Sequence, residues 1–450
     1  MCQRLIVRES WRSGALYGWS RIEWTRQVRV LAVEPHPSFV IFLTDGLPTV
    51  GETSEGKIGA RPRNTTGRRA DHQLRVGYDV NSRLLDRLSR ENFGQSEYVR
   101  PDEDIEDRVG RLYGRIESPV MTGVEIEFSL DEMKAEEGSP VNRVYPKDAL
   151  DLFAGEQLVV VGRYKKSGAA KVIVQGTVGG KKQKFDFPAN LTQKSPDETC
   201  GFIEKLWAVR RVGEIIDELD LGGKNQELIQ ELVTLSTRHG ILTPYTSFMA
   251  DENTNLHDVA ANAARADVRL EALQMTEGRG GFVQRAMKSD LKQARVASSA
   301  PMMQPAADAA DALGLGPSGS TGQPMAGGGF GGSAQDAGSY RYGVDRARAS
   351  RQLGSNSGAA AGGQSEPAGE AQLAQQNVRN IANRTFYQRE GRWIDSQVSK
   401  EQETKATRVQ QFSDEYFALA KRFGKTMSQY MVFEEPVLLN LEDRTYLIEP

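Results

Sequence analysis

The sequence predicts an α/β chain, and three observations carry that expectation. A run of five apolar residues, Phe39 to Leu43 in "FVIFLTDGLPTVGE", shows no polar alternation. It reads as a strand covered on both faces, the usual state of a central strand in a parallel sheet. Segments of helical period follow it, and from Pro119 the apolar period changes to two. A helical period returns at Ser195.

Residues 1–36 stay unassigned, although "WSRIEWTRQVRVLAV" has room for one short strand. Residues 37–117 form part of an α/β unit. The buried strand leads through a connection, "GARPRNTTGRRADHQ", to a second strand in "LRVGYD". "DVNSRLLDRLSREN" is a helix with Val80, Leu84, Leu85 and Leu88 on one face and Asp79 or Asn81 as its cap. "QSEYV" is a short strand. "DEDIEDRVGRLYGRIES" closes the unit as an amphipathic helix with acids in its first turn, where the helix dipole favours them.

Residues 118–191 read as a small antiparallel β domain, from "VEIEFSL", "QLVVVGRY", "KVIVQGTV" and "KQKFDFPA". "TVGGKKQ" carries the Gly-Gly pair of a tight hairpin. Residues 192–252 are a helical pair packing on that domain. "SPDE" at Ser195 starts the first helix, and Gly240 stops the second. Residues 253–299 are polar and Ala-rich, helical in part. Residues 300–375, rich in Gly, Ala, Ser and Gln, bury too little apolar area to offset their ordering entropy and read as a disordered linker. Residues 376–450 make a small α+β C-terminal module. It has a hairpin in "RTFYQREGRWIDS", a helix capped by Ser413 and stapled by Phe412, and a hairpin turning at Glu442-Asp443.

Composition excludes several functions. The 450 residues carry a formal net charge of -3 and a pI near 6.0, so no basic field points to nucleic acid. Cys2 and Cys200 make no disulfide framework, and four scattered histidines lack metal-ligand spacing. No apolar window reaches the ~20 residues of a membrane helix. The N-terminus carries charges where a signal peptide needs an apolar core, so no export or anchoring signal is expected. The run Asp102, Glu103, Asp104, Glu106, Asp107 lacks EF-hand spacing and reads as a solvated helix start. The glycines of 314–332 form no phosphate loop. Basic hairpin tips in "RYKKSGAAK" and "GGKKQKF" suit an anionic surface or a protected sheet edge equally. No nucleophile–base set or carboxylate pair emerges, and Trp207 and Trp393 read as core.

Asp45 ends the greasy strand on a turn, at the carboxyl end where open α/β sheets bind ligands. It either belongs to a site or only starts the turn. Asp79 and Asn81 lie near a second strand end, where capping competes with ligand binding.

The stretches "FVIFLTDGLPTVGE", "VGYDVNSRLLDRLSREN", "YVRPDEDIEDRVGRLYGRI", "FIEKLWAVRRVGEII" and "LSTRHGILTPYTSFM" occur in that order. Together they resemble bacterial relatives of the inter-alpha-trypsin inhibitor heavy chains, which join a vault/inter-alpha-trypsin (VIT) domain to a von Willebrand factor type A domain. The resemblance covers residues 37–250, and the C-terminal module is similar to a tail on such proteins. It implies that residues 37–117 are a partial doubly wound, Rossmann-like type A domain. It also implies an adhesion function, a protein partner and a secreted or membrane-associated location. Such domains gather Mg²⁺ or a similar ion with a DxSxS loop, a loop Thr and the Asp of a "TDG" turn. Asp45 matches that third element. Mg²⁺ wants about six hard oxygens, several of them from water.

The chain departs from the pattern upstream of Phe39, where it has no DxSxS and no VIT domain. The basic stretch "GARPRNTTGRRADHQL" departs too, where the family has a helix and an apolar strand. Asp45 is therefore expected as a remnant of an incomplete metal site, in either a truncated or mis-started chain or a metal-free interaction domain. No cofactor is expected. The expected function is non-enzymatic protein binding. The alternative is an accessory or recruiting subunit of an enzyme such as an ATPase, or a hydrolase with its site in the C-terminal module.

Overall fold

The computed structural model describes residues 6–8, 38–44, 69–76, 78, 81–91, 96–100, 103–116, 119–133, 138–147, 150–193, 200–297, 373, 376–441 and 444–450. Asp45, Asp79, Ser195 and the linker up to 372 lie outside them.

The first layer is a parallel sheet in the order β1-β2-β3-β4, built from Ile6–Arg8, Ser38–Thr44, Arg69–Val76 and Ser96–Val99. The apolar run lies in β2, with a parallel neighbour on each side, and Leu43 is level with Leu74. This interior place between two parallel strands agrees with the apolar run that the sequence shows there. The second strand begins at Arg69, inside the stretch read as a connection, because its basic residues hide the apolar period. A strand at Ile6–Arg8 also falls in the segment the sequence left unassigned. Helix α1 (Ser82–Glu91) follows β3, and α2 (Ile105–Ile116) follows β4.

Next come two antiparallel sheets. The larger has the order β10-β9-β5-β7, from Lys181–Leu191, Gly168–Val178, Pro119–Leu130 and Leu150–Phe153. The smaller pairs β6 (Val141–Tyr145) with β8 (Val161–Tyr164). Gly179 and Gly180 turn the β9–β10 hairpin with φ of 56° and 78°, a conformation that disfavours other residues.

Helix α3 (Gly201–Gly222) is the axis of the molecule and is buried on nearly every side. Against it pack α4 (Gln226–His239) and α6 (Gly278–Gln293), while α5 (Val259–Leu270) packs on α4. Gly213 marks the α3–α6 crossing: a Cβ there would come within 2.9 Å of Leu291 Cβ and of the Lys292 nitrogen. The polar stretch 253–299 is thus two well-formed helices. Its apolar stripe is interrupted because it supplies buried cations to the core (Arg285, Lys288). The expected contact with the β domain is made by α3, where Trp207 Nε1 donates to Arg143 O and Arg210 Nη1 donates to Tyr145 O, both at 3.0 Å.

The C-terminal residues form one mixed six-stranded sheet, order β11-β12-β13-β15-β16-β14, and not two separate hairpins. Its strands are Val378–Ile381, Arg384–Arg389, Arg392–Asp395, Val437–Leu441, Arg444–Glu449 and, at one edge, Thr407–Gln410 (β14). Helix α7 (Lys400–Thr404) precedes β14, and α8 (Asp414–Phe423) follows it, with Ser413 capping Tyr416 N. Trp393, Phe386 and Phe433 centre this module's core, and Trp207 lies in the main one.

Candidate interaction site

The carboxyl ends of the parallel strands form the rim on which the sequence places its candidate residue. Thr44 ends β2 and stands level with Arg75 of β3, which stands level with Tyr98 of β4. Asp45 follows Thr44 and lies outside the described residues. Asn81 is buried and acts as a cap, its Oδ1 accepting from Leu84 N at 2.9 Å. The acidic run is likewise local: Glu103 accepts from Arg100 N at 3.0 Å and Asp104 from Glu106 N at 2.8 Å. Burial alone would raise the Glu103 pKa, but the Arg100 backbone and the Arg108 guanidinium bring it below the ordinary range.

The turn after β3 is occupied by the helical body. Ser82 Oγ donates to Thr276 O at 2.8 Å, Ser82 N to the same oxygen at 3.0 Å, and Gly278 N to Tyr78 O at 2.9 Å. Phe282 of α6 meets Tyr78 and Tyr98 edge-on, with centroids 5.2 and 5.3 Å apart.

Behind this contact runs an ionic seam that has no local signature in the sequence. Tyr98 Oη donates to Asp86 of α1 at 2.7 Å. Lys288 Nζ lies 2.9 Å from Asp86, 2.9 Å from Asp217 and 2.8 Å from Asp220. Arg285, fully buried, pairs with Asp220 at 2.7 Å and donates to the carbonyls of Met275 and Gly281. Lys292 pairs with Asp217 at 2.8 Å. Burial would lower the Lys288 pKa, but three carboxylates raise it well above the usual lysine range. The reverse holds for Asp217: burial raises its pKa, and Lys288 and Lys292 override that and bring it to about 2. A lysine buried among three aspartates is costly to desolvate and fixes geometry only because each charge is matched. The arrangement is a network of three cations and three carboxylates. Chemically it is a clamp, which fixes the rim to α3 and α6.

Among the described residues, no group of three or more His, Cys, Asp or Glu is placed to hold a metal ion. No helix among them is long and apolar enough to cross a membrane.

No family model matches the sequence. Sequence comparison finds inter-alpha-trypsin inhibitor heavy chain H2 of Mesocricetus auratus, 23% identical over 242 residues, 51% of this chain and 25% of that protein. Heavy chain H4 of Homo sapiens is 26% identical over 225 residues, 47% and 23% of the two chains. Heavy chain H3 of Pongo abelii is 26% identical over 281 residues, 58% and 30%. The chain therefore spans between 23% and 30% of the length of these relatives. Among solved structures, the ArnB paralog VWA2 from Sulfolobus acidocaldarius matches at 15% identity and TM-score 0.31, over 61% of this chain and 68% of that one. A von Willebrand factor type A structure from Catenulispora acidiphila matches at 12% identity and TM-score 0.30, over 54% and 67%.

Proposed function

We propose that this chain, a von Willebrand factor type A domain protein related to the inter-alpha-trypsin inhibitor heavy chains, is a non-enzymatic adhesion module. It binds a protein partner at the carboxyl-end rim of its parallel sheet, outside the cell or at its surface. The observation that supports this most is the interior position of β2, flanked by parallel strands, so that the chain leaves Thr44 at the edge where such sheets take ligands. Asp45 is the next residue.

A divalent cation does not fit this ligand set. The sequence lacks the DxSxS loop, no group of three or more His, Cys, Asp or Glu among the described residues is placed to hold a metal ion, and one carboxylate cannot replace about six hard oxygens. Recognition then rests on the shape and polarity of the rim, which the Lys288 seam keeps rigid.

Calorimetric titration with Mg²⁺ tests the metal-free part, with no site tighter than millimolar expected. A micromolar site abolished by Asp45→Ala would overturn it. Capture of surface or matrix proteins that persists in EDTA supports adhesion. Enrichment of an ATPase instead would favour a recruiting role.

A further inference from the structure

An open edge lies in the antiparallel part of the chain. Strand β5 pairs with β9 from Thr122 to Leu130, with an irregularity between Thr122 and Glu125, but with β7 only from Pro119 to Val124. The Asp151 carboxylate takes the Gly123 N–H at 2.7 Å where that pairing ends. From Glu125 onward, no strand among the described residues lies on that side of β5.

The ladder tells which backbone groups face the gap. The two-residue Gly179-Gly180 turn makes Val178 and Lys181 a hydrogen-bonded pair, so the alternate residues of β9 (Thr177, Gln175, Ile173) turn theirs toward β5. On the same ladder Asp131 N donates to Ala169 O at 3.0 Å, which fixes the phase. Glu125 and Glu127 therefore spend their backbone groups on β9, while Ile126 and Phe128 aim N–H and C=O outward. An unpaired strand edge of this kind is a template for another strand.

The edge opens into a cavity of about 590 Å³. Val124–Phe128 form one wall and Val141–Val144 of β6 the other, with Leu158 and Val160 beyond. The two faces of the edge differ in chemistry. Ile126 and Phe128 share their face with Val174, Val172, Phe185 and Phe187, one row across three strands. The last two are 44% and 52% exposed. Glu125 and Glu127 point to the opposite face, where each accepts only a long bond from the Gln175 amide, at 3.2 and 3.3 Å. The cations on the far wall are already engaged, Arg143 by Glu231 and Lys147 by Glu214 and Glu218.

We propose that this cavity receives an extended segment of a partner protein, added as a strand to the β5 edge, whose side chains alternate between apolar and basic. Its backbone meets the outward groups of Ile126 and Phe128, its apolar side chains join theirs, and its basic ones stand beside Glu125 and Glu127. A second copy is a poor occupant, since a two-fold pairing through β5 sets these glutamates against each other.

The test uses the full chain and short fluorescein-labelled peptides of alternating Val and Lys or of alternating Val and Glu. Anisotropy is expected to give the Val/Lys peptide about tenfold tighter binding, from opposite-charge against like-charge cross-strand pairs at two positions. The Glu125→Lys/Glu127→Lys variant, altered only at exposed positions, reverses the order. Hydrogen exchange at the Ile126 and Phe128 amides slows on binding. Equal binding of the two peptides, no binding, or unchanged exchange at those two amides overturns the proposal. So does self-association that slows the same amides without peptide.

Discussion

The helical body holds its two neighbours by opposite chemistry. On one side the parallel layer is fastened by charge, with Lys288 among Asp86, Asp217 and Asp220. On the other, the C-terminal module is fastened by hydrogen bonds onto main-chain carbonyls. Tyr387 Oη donates to Thr237 O at 2.9 Å, Asn377 Nδ2 to Ala250 O at 3.0 Å, and Arg389 Nη2 to Met249 O at 2.6 Å. His239 lies between two residues that touch the module, Arg238, whose carbonyl accepts from Ser396 Oγ at 2.8 Å, and Gly240, which abuts Thr385. The module thus packs directly on the body. The comparison teaches that one chain contains a seam intolerant of deleting a partner and another intolerant of acid.

The largest effect should come from breaking the charged side. Lys288→Met removes the cation that three carboxylates share, leaving Asp217 to Lys292 and Asp220 to Arg285 alone, and is expected to cost about 3–5 kcal/mol in urea unfolding. Adding Asp86→Asn should recover part of that loss. A loss near zero would mean the carboxylates are solvated and the seam is not a clamp.

Acid should separate the two sides. Burial, with Arg238 and Lys205 nearby, lowers the His239 pKa from 6.5 to about 4. Below pH 6.5 the unfolded chain therefore binds a proton that the folded chain refuses. This contribution is complete above pH 6.5 and is lost as pH falls toward 4, at a cost of about 3 kcal/mol. Asp217 behaves later: its contribution is present above the ordinary 3.8 and is lost only as pH falls toward 2. Hydrogen exchange between pH 6.5 and 4 should show β12 losing protection before α6, and His239→Gln should flatten that trend. Earlier loss in α6 would reverse the comparison.

The smallest effect should come from Tyr387→Phe. It removes one hydroxyl from the carbonyl side and is expected to cost about 1 kcal/mol, read as a shifted urea midpoint with unchanged slope.

The sequence by itself determined the local elements. Five apolar residues without alternation pointed to an interior strand, the Gly179-Gly180 pair to a hairpin, and Asp79 or Asn81, together with Ser413, to helix starts. It also named Asp45, though that residue lies outside what the structure describes. These signals are short-range, since period and capping depend on a few neighbouring residues. Only the tertiary structure decided that Asp86, Asp217, Asp220 and Lys288, ordinary polar residues spread over three helices, share one buried space. It alone left one side of the far half of β5 without a strand among the described residues. Pairing of charges and of strand edges depends on which distant segments meet, and no local period records that.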